Sequence, residues 1–428
     1  MLYSKVFPKT IKGGKKYESA NADLLINGGF IDQVMTGVYT FLPLGWRVLN
    51  KIEDIIREEM NKIGEEMLMP GLSPKKLWED TNRLETIDVL FKVSGANKAS
   101  RAMNDAEYIL NCTQEDVITP LAKRFFTSYK DFPFALYHIQ VKYRNEPRAK
   151  SGILRGREFR MKDLYSFHTS EESLIDYYEN TAKPAYIETF KKLGLGDSTV
   201  IALASGGDFT KNNSHEFQTI CDAGEDTLYH DKETGIYYNK EVIKDPESDK
   251  YEILTAAEVG NIFPLNTKFS KAIDYTFTDE TGEKHPIYMG SYGIGTTRVM
   301  GVLVEKHHDE QGIIWPVQVA PYLVHLIGLD LHNAQIKENV EKLYHKLLDA
   351  GIEVLYDDRE EARAGEKFAT ADLIGNPIRL VISKRTEDKI EWKKRNEKES
   401  ELIGVDEVMK RIKDADPESS GQHDNIIT

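Results

Sequence analysis

Residues 136–168 read LYHIQVKYRNEPRAKSGILRGREFRMKDLYSFH, and this stretch predicts the architecture around which the larger part of the chain is built. From Leu136 to Tyr143 the side chains alternate between two faces, as they do in a half-buried β-strand. Residues 147–156 then supply the Pro, Ser and Gly of a long turn, and an extended pattern resumes over residues 156–168. The stretch therefore predicts two antiparallel strands joined by a basic loop.

Strand alternation sorts the polar side chains of this stretch onto faces. Arg144 and Glu146 are two residues apart and share a face with Gln140 and Lys142. On the returning strand, one face carries Phe159, Met161, Asp163, Tyr165 and Phe167. Each of these residues also has an ordinary structural interpretation. Arg144 and Glu146 could form a weak exposed ion pair, and Phe159 and Phe167 could be core aromatics, so a functional interpretation depends on the order and combination of the motifs.

The same stretch concentrates positive charge. Eight basic residues lie between Lys142 and Lys162, against the two acids Glu146 and Glu158. A cluster of this kind suits phosphate groups, although it is more often only a solvated protein face.

Three further patterns have candidate chemistry. Thr113 and Glu115 in LNCTQED place a hydroxyl and a carboxylate where they can converge on an amine, although the same pattern also begins helices. GSYGIGTTRVM has glycines at 290, 293 and 295 and then Arg298 in the first turn of a predicted helix, with a spacing that is not that of a Walker loop. A glycine cluster is usually only a turn, and a lone histidine such as His215 in NNSHEFQ is more often structural than catalytic.

Periodicity predicts the flanking elements. Apolar residues at three-to-four spacing indicate an amphipathic helix from Trp46 to Ile63, and residues 170–192 indicate a second helix that Pro184 should bend or split. After Ala320 strands and helices take turns, which predicts a small α/β domain with a mainly parallel sheet. The last residues are polar and are expected to be disordered.

Length and composition exclude several classes of protein. The 428 residues favour two or three domains, and no apolar run approaches the ~20 residues that span a bilayer. The net charge of −14 argues mildly against a general nucleic-acid-binding protein, whose domain is normally basic. The two cysteines, Cys112 and Cys221, form no disulfide or zinc pattern, and the N-terminus has no secretory signal, so a cytoplasmic chain is expected.

The order of these motifs resembles that of class II aminoacyl-tRNA synthetases. An amphipathic helix leads to a strand ending at Pro70, then Arg-x-Glu with a basic loop and Phe-x-x-x-Asp, then Gly-x-Gly-x-x-Arg. The intervening text, including TGVYTFLPLGWRVLNKIEDIIREEMNKIG, SHEF and VLYDDREEARAGEKFATADLIGNPIRLVISKR, looks like bacterial-type prolyl-tRNA synthetase over residues 1–412. The resemblance implies an α+β fold, with a class II antiparallel sheet flanked by helices over residues 1–319, an α/β anticodon-binding domain over 320–412 and a disordered tail over 413–428.

The resemblance also implies a reaction, in which L-proline is activated by ATP with Mg²⁺ and transferred to tRNA(Pro). Arg144 would hold the α-phosphate and the proline carboxylate, and Arg298 would neutralise the terminal phosphates; these two are the expected catalytic residues. The remaining ATP contacts would come from Glu146 on the adenine amino group, Phe159 stacked on the adenine, Gly293 and Gly295. The expected proline contacts are Thr113, Glu115, Arg144, Met161, Asp163, Tyr165 and His215. Ligands for the metal are not assigned.

Two properties of the whole protein follow from the resemblance. Only 48 residues separate Tyr165 from Ser214, so no editing domain is expected between the second and third motifs. Because a proline pocket discriminates poorly against smaller amino acids, a separate deacylase in the host is hypothesised. The first motif forms a two-fold interface in this fold family, so a homodimer is expected.

Three alternatives remain open from the sequence. A synthetase-like paralogue would bind a ligand or tRNA without catalysis, but such relatives typically lose the phosphate arginines, which are present here. A synthetase for threonine, histidine or glycine would share the motifs. An accessory subunit on the same fold would bind nucleic acid through the basic cluster.

Overall fold

The computed structural model describes residues 1–11, 13–207, 209 and 213–415. Residues 416–428 lie outside the described part, and most of the predicted disordered tail falls there. Its predicted first residues, 413–415, belong to a helix.

The helices are α1 (Ala20–Asn27), α2 (Pro43–Met60), α3 (Lys75–Asp80), α4 (Lys98–Met103), α5 (Glu115–Phe125), α6 (Glu171–Tyr177), α7 (Lys183–Lys192), α8 (Lys268–Ala272), α9 (Thr296–Lys306), α10 (Ala334–Asp349), α11 (Ala364–Ile374) and α12 (Val405–Ala415). The strands are β1 (Ile31–Met35), β2 (Val38–Phe41), β3 (Glu65–Glu66), β4 (Leu72–Pro74), β5 (Phe91–Val93), β6 (Tyr108–Leu110), β7 (Phe134–Tyr143), β8 (Glu158–His168), β9 (Thr199–Ala204), β10 (Ser214–Ile220), β11 (Asp226–Asp231), β12 (Tyr237–Asn239), β13 (Tyr251–Asn266), β14 (Thr276–Thr278), β15 (Lys284–Pro286), β16 (Tyr288–Ile294), β17 (His308–Asp309), β18 (Gly312–Ile313), β19 (Val324–Gly328), β20 (Val354–Asp357), β21 (Ile378–Ile382), β22 (Ile390–Lys394) and β23 (Glu401–Ile403).

The chain divides into two compact units. One comprises residues 33–39 and 52–302, and the other comprises residues 1–32, 40–51 and the chain from Leu303 onward. None of the helices in the described residues combines the length and the apolar composition needed to cross a membrane.

The larger unit is built on a nine-stranded sheet in the order β10-β9-β12-β11-β13-β16-β8-β7-β3, in which β10 also pairs with β13. The pairs β7–β8, β8–β16 and β13–β16 are antiparallel, as the alternating pattern of residues 136–168 predicts. A core of Ile118, Phe167, Phe269 and Met289 lies among α5, α8 and this part of the sheet. The antiparallel class predicted for this region is confirmed.

The predicted helix over residues 170–192 is interrupted, as Pro184 requires. Ser170 caps α6 by accepting from the Ser173 N–H, and a π-helical turn at Tyr178–Ala182 separates α6 from α7. A proline ring clashes with the carbonyl four residues earlier and offers no N–H, so a wider turn relieves the clash.

The smaller unit contains a five-stranded sheet in the order β20-β19-β21-β22-β23. The pairs β19–β20 and β19–β21 are parallel, but β21–β22 and β22–β23 are antiparallel. The expectation of a mainly parallel sheet therefore holds for only half of its pairings, because the short links after β21 and β22 are hairpin connections and leave no room for a crossover helix. Its core packs α10 and α12 against the sheet through Leu343, Leu347 and Ile412.

The N-terminal residues belong to this smaller unit as well. Leu2 forms a parallel bridge with Tyr356 in β20, and the amino group of Met1 donates to the carbonyl oxygen of Val354 at 2.8 Å. Ser4 donates to Asp358 through both its N–H and its hydroxyl.

Candidate active site

A cleft opens on one face of the nine-stranded sheet. It gathers most of the residues singled out in the sequence: Thr113, Glu115, Arg144, Glu146, Phe159, Met161, Asp163, Gly293, Gly295 and Arg298. Arg144 and Arg298 are 154 positions apart in the chain and nevertheless line the same cleft. The two arginines therefore share one cavity and do not lie in separate ones.

Strand register explains why these residues meet. Directly paired residues run across five strands in the order Glu216, Asn261, Gly293, Asp163 and His138. Paired residues point to the same face of a sheet, so one row aligns acids, an amide and a glycine on one side. Gly293 lacks a side chain at the middle of this row and leaves the floor of the cleft open.

One end of the cleft pairs a guanidinium with an aromatic ring. The guanidinium carbon of Arg144 lies 5.2 Å from the centre of the Phe159 ring. Glu146 is buried and accepts hydrogen bonds from Arg155, whose Nε lies 2.8 Å and whose Nη2 lies 2.7 Å from the same carboxylate oxygen. Arg155 comes from the basic loop, and sequence reasoning did not single it out.

Arg298 also lines the cleft and lies in the first turn of α9. Its Nε donates to the carbonyl oxygen of Leu154 at 2.8 Å, and its Nη1 donates to the carbonyl oxygen of Glu258 at 2.6 Å and to its carboxylate at 3.2 Å. Three acceptors therefore fix the direction of this guanidinium between the basic loop and β13.

Oxygen ligands collect beside Arg298. The Asn261 amide donates to Glu258 at 2.9 Å and to Glu216 at 3.4 Å, and the buried Asn261 Oδ1 has no hydrogen-bond donor among the described residues. Burial, with the nearby Glu258 carboxylate, raises the pKa of Glu216 to about 8. Such a cluster of carboxylate and amide oxygens is the donor set that hard divalent cations prefer.

A second group of lining residues centres on Glu115, whose side chain is fully buried. One carboxylate oxygen accepts from the Thr113 hydroxyl at 2.5 Å and from Arg83 Nη1 at 3.1 Å, and the other accepts from the Ser291 hydroxyl at 3.0 Å. Thr113, Glu115 and Ser291 all line the cleft. The arrangement presents a fixed anionic acceptor for an amine.

Two predicted residues do not line the cleft. Tyr165 lies behind Thr113 in the core, where its hydroxyl accepts from the Gln114 N–H at 3.0 Å. His215 is on β10 next to Glu216, and its Nδ1 lies 2.8 Å from the Tyr178 hydroxyl. Because neighbouring strand residues point to opposite faces and Glu216 takes the cleft side, His215 faces the helical layer instead.

The basic cluster is less available to phosphate than its composition indicates. Lys142 is fully buried, with its Nζ 2.5 Å from Asp163 and 2.9 Å from His138 Nε2. Lys162 is also fully buried, and it donates to the Tyr186 hydroxyl at 2.5 Å. Arg160 donates twice to Glu53.

The Lys142–Asp163 pair gives the floor of the cleft a fixed charge. Burial opposes ionisation of Asp163, but the Lys142 ammonium outweighs it and holds the pKa of Asp163 well below its usual range. Burial lowers the pKa of Lys142, and Asp163 counters that effect. The alternation of the strand put Lys142 on the same face as His138. No feature of the sequence indicated that Lys142 is buried and paired with Asp163.

Family models match both parts of the chain. A model described as "tRNA synthetase class II core domain (G, H, P, S and T)" matches residues 91–307, and one described as "Anticodon binding domain" matches residues 317–415.

Curated relatives match almost the whole chain. A proline--tRNA ligase of Rickettsia rickettsii (strain Sheila Smith) is 39% identical over 434 residues, covering 96% of this chain and 99% of the relative. A proline--tRNA ligase of Dehalococcoides mccartyi (strain CBDB1) is 32% identical over 570 residues, covering 96% and 98%. Among solved structures, prolyl-tRNA synthetase from Cryptosporidium parvum, complexed with halofuginone and AMPPNP, has the same fold with a TM-score of 0.77 at 17% identity, covering 95% of this chain and 80% of that one.

Proposed function

Because the chain belongs to the proline–tRNA ligases of class II, it activates proline with ATP and charges tRNA, and we propose how the cleft divides that work. In the first step a proline carboxylate oxygen attacks the α-phosphorus of ATP and pyrophosphate leaves. In the second step a hydroxyl of the terminal ribose of tRNA(Pro) attacks the prolyl carbonyl and AMP leaves. The observation that carries the proposal is the presence of Arg144, Arg298 and the Thr113–Glu115 pair in one cleft.

Arg144 works where the two substrates meet. A guanidinium bridges two oxyanions with fixed geometry, so Arg144 neutralises the α-phosphate and the attacking carboxylate together. Phe159 stacks on the adenine, and Glu146 accepts a hydrogen bond from the adenine amino group. In this structure Glu146 accepts hydrogen bonds from Arg155. When adenine binds, part of the Glu146 carboxylate would accept from the adenine amino group instead.

The terminal phosphates of ATP fit the part of the cleft next to Arg298. Arg298 and Arg155 both line the cleft. Arg298 is paired with the carboxylate of Glu258, and Arg155 is paired with those of Glu146 and Glu225. Phosphate oxygens would replace these carboxylates as acceptors. Alignment and charge neutralisation, more than proton transfer, lower the barrier to phosphoryl chemistry.

The residues present also fit Mg²⁺. Glu258 and Asn261 would hold the ion, because they offer a carboxylate on the cleft and an amide oxygen without a donor among the described residues. When bound, Mg²⁺ neutralises charge on the phosphate oxygens of ATP.

Proline is recognised at the end of the cleft that contains Glu115. Its secondary ammonium has two N–H groups, and Glu115 and Thr113 are the acceptors for them. Met161 and Phe263 line the cleft as apolar contacts for the ring, and Asp163 adds a fixed negative charge nearby. Tyr165 supports Thr113 from behind the cleft.

At the scale of the whole protein, residues 1–319 form the catalytic domain in this proposal and residues 320–412 bind the anticodon of tRNA(Pro). We also propose that the enzyme is cytoplasmic and does not act on DNA.

The proposed homodimer agrees with exposed apolar side chains near the first motif. Leu68 is 74% exposed, and Val34 and Met35 are also exposed. Light scattering should give twice the chain mass of 48.8 kDa. Leu68→Lys should lower that mass, whereas Met103→Lys, at a methionine on α4 that is 88% exposed, should not.

Amino-acid-dependent exchange of pyrophosphate into ATP tests the function directly. Proline should stimulate exchange by the purified chain, and threonine, histidine and glycine should not. Arg144→Ala should abolish the exchange, while Arg148→Ala, at an exposed arginine of the same basic loop, should leave it unchanged. Exchange driven by another of these amino acids, or exchange that survives Arg144→Ala, contradicts the proposal.

A further inference from the structure

The turn after α3 directs an arginine into the interior of the larger unit. Asn82 adopts a left-handed conformation, with φ of 59°, and the Arg83 N–H donates to the carbonyl oxygen of Trp78 at 2.9 Å. Asparagine tolerates this conformation better than most residues, so the helix ends there and the chain reverses. The Arg83 side chain is consequently only 2% exposed.

Arg83 joins two acids at the amine end of the cleft. Its Nη1 lies 3.1 Å from Glu115 Oε2 and 2.5 Å from Asp116 Oδ2. The guanidinium carbon lies 5.0 Å from the Phe269 ring centre and 5.5 Å from that of Trp78. Its Nε and Nη2 are buried without an acceptor among the described residues, so the two carboxylates are the partners that hold its position.

Two adjacent carboxylates in a buried site cannot both stay ionised without a cation. Burial raises the pKa of Asp116, and Arg83 opposes that rise. Burial also opposes the charge on Arg83, but the carboxylates of Glu115 and Asp116 raise its pKa above the ordinary value. The three groups therefore depend on one another for their charge states.

We propose that Arg83 is a positioning residue for proline recognition, which keeps Glu115 anionic and aimed at the cleft by compensating both Glu115 and Asp116. This inference rests on the proposed function, because it assigns Glu115 to the proline ammonium. Arg83 does not line the cleft and acts through Glu115.

Other charged and titratable groups surround Glu115 and Asp116. They are Cys112 on the preceding link, Lys142 and Arg144 from β7 and its end, and Asp163 and Tyr165 from β8. Lys142 is already paired with Asp163 at 2.5 Å, and Arg144 is on the cleft, which leaves Arg83 as the cation in direct contact with both acids.

Steady-state pyrophosphate exchange measures the proline KM and the ATP KM separately. In Arg83→Met the proline KM should rise about tenfold or more near pH 6.5, with the ATP KM within about twofold, because Glu115 loses the contact that aims it and lies beside an uncompensated Asp116. The rise in the proline KM should be smaller at about pH 8.5, because burial raises the pKa of Asp116 and a higher pH favours the ionised carboxylate. Arg101→Met, at an exposed arginine in α4, is the matched control and should show neither effect.

A second variant separates positioning from a merely structural role. Arg83→Met combined with Asp116→Asn removes the surplus acid, so the proline KM should return to within about threefold of wild type at both pH values. If Arg83→Met does not fold, the double variant alone tests the inference. A proline KM in the double variant about tenfold above that of wild type would overturn it.

The remaining outcomes are also decisive. Proline and ATP KM values that rise in parallel, a defect independent of pH, or no rescue by Asp116→Asn would each overturn the positioning role. Wild-type protein without proline-dependent exchange would instead refute the proposed function, whatever the variants do.

Discussion

Phe159 gives the cleft a flat aromatic wall beside Arg144, and its truncation tests the adenine end. Base stacking on an aromatic side chain contributes ~1–3 kcal/mol, so Phe159→Ala should raise the ATP KM by about tenfold or more. Phe159→Tyr keeps the ring and is the control. The measurement is proline-dependent pyrophosphate exchange over a range of ATP concentrations, and an unchanged ATP KM in Phe159→Ala would place the base elsewhere.

At the residue scale, alternation predicted which side chains share a face and could not predict their partners. It placed Phe159, Met161 and Asp163 together, and the structure puts all three on the cleft. It gave no sign that Asp163 pairs with Lys142, because that contact depends on the register between two strands. Arg83 carried no motif at all, since its role arises from the way α3 ends.

At the scale of elements, the interior strand β19 carries a buried histidine that should make the smaller unit sensitive to acid. Both ring nitrogens of His325 lack a hydrogen-bond partner among the described residues, and burial lowers its pKa to about 4. The unfolded chain binds this proton below about pH 6.5 and the folded chain does not, so stability falls as the pH drops from 6.5 towards 4.

His325→Leu should remove that loss, which is about 2 kcal/mol near pH 5. Thermal unfolding at about pH 7.5 and pH 5 should show a smaller shift in Tm for His325→Leu than for wild type. His332→Leu, at an exposed histidine of the same unit, should behave like wild type. Equal shifts in Tm for all three proteins would show that His325 does not carry the acid sensitivity.

Periodicity predicted elements well where one face is buried and poorly where pairing is irregular. The predicted helix over Trp46–Ile63 corresponds to α2, and the helix and strand signals after Ala320 correspond to β19, α10 and β20. The sixteen-residue strand β13 was not predicted as one element. Its pairing with β10 shifts register between Phe217 and Gln218, so the alternation of its side chains is not regular along its length. The antiparallel part of the smaller sheet was also missed.

At the scale of the whole molecule, the segment between the second and third motifs is filled by ordinary elements. The helices α6 and α7 and the strand β9 occupy most of residues 169–213. The alignment with the Dehalococcoides relative spans 570 residues, which is 142 more than the 428 of this chain, whereas the Rickettsia alignment spans 434, which is only six more. These lengths support the expectation that no editing domain is present.

The chain should therefore misacylate tRNA(Pro) with alanine and leave the product intact. Each missing methylene costs only ~1–3 kcal/mol of binding in a hydrophobic pocket, so alanine should be activated at a measurable rate. Hydrolysis of purified Ala-tRNA(Pro) should proceed equally fast with and without the enzyme. Rapid deacylation by the enzyme alone would rule out the hypothesis of a separate deacylase.

The compact units of the structure do not divide the chain at a single position, and the expected catalytic and anticodon-binding domains remain a proposal. The expected boundary near residue 320 treats the first residues as part of the catalytic domain, but residues 1–32 cluster with the chain from Leu303 onward. The contact responsible within that unit is the pairing of Leu2 with β20. The sequence pattern does not predict that an N-terminal residue, Leu2, pairs with the edge strand β20.

Binding of ATP and AMP to Arg298→Ala tests most directly whether the two arginines hold opposite ends of one nucleotide. Calorimetry should show ATP affinity reduced about tenfold or more, because truncation removes a charge-assisted contact to the terminal phosphates, with AMP affinity unchanged. Arg144→Ala should weaken both nucleotides, since both carry the α-phosphate. An equal loss of ATP and AMP binding in Arg298→Ala, or no loss of either, would contradict the arrangement.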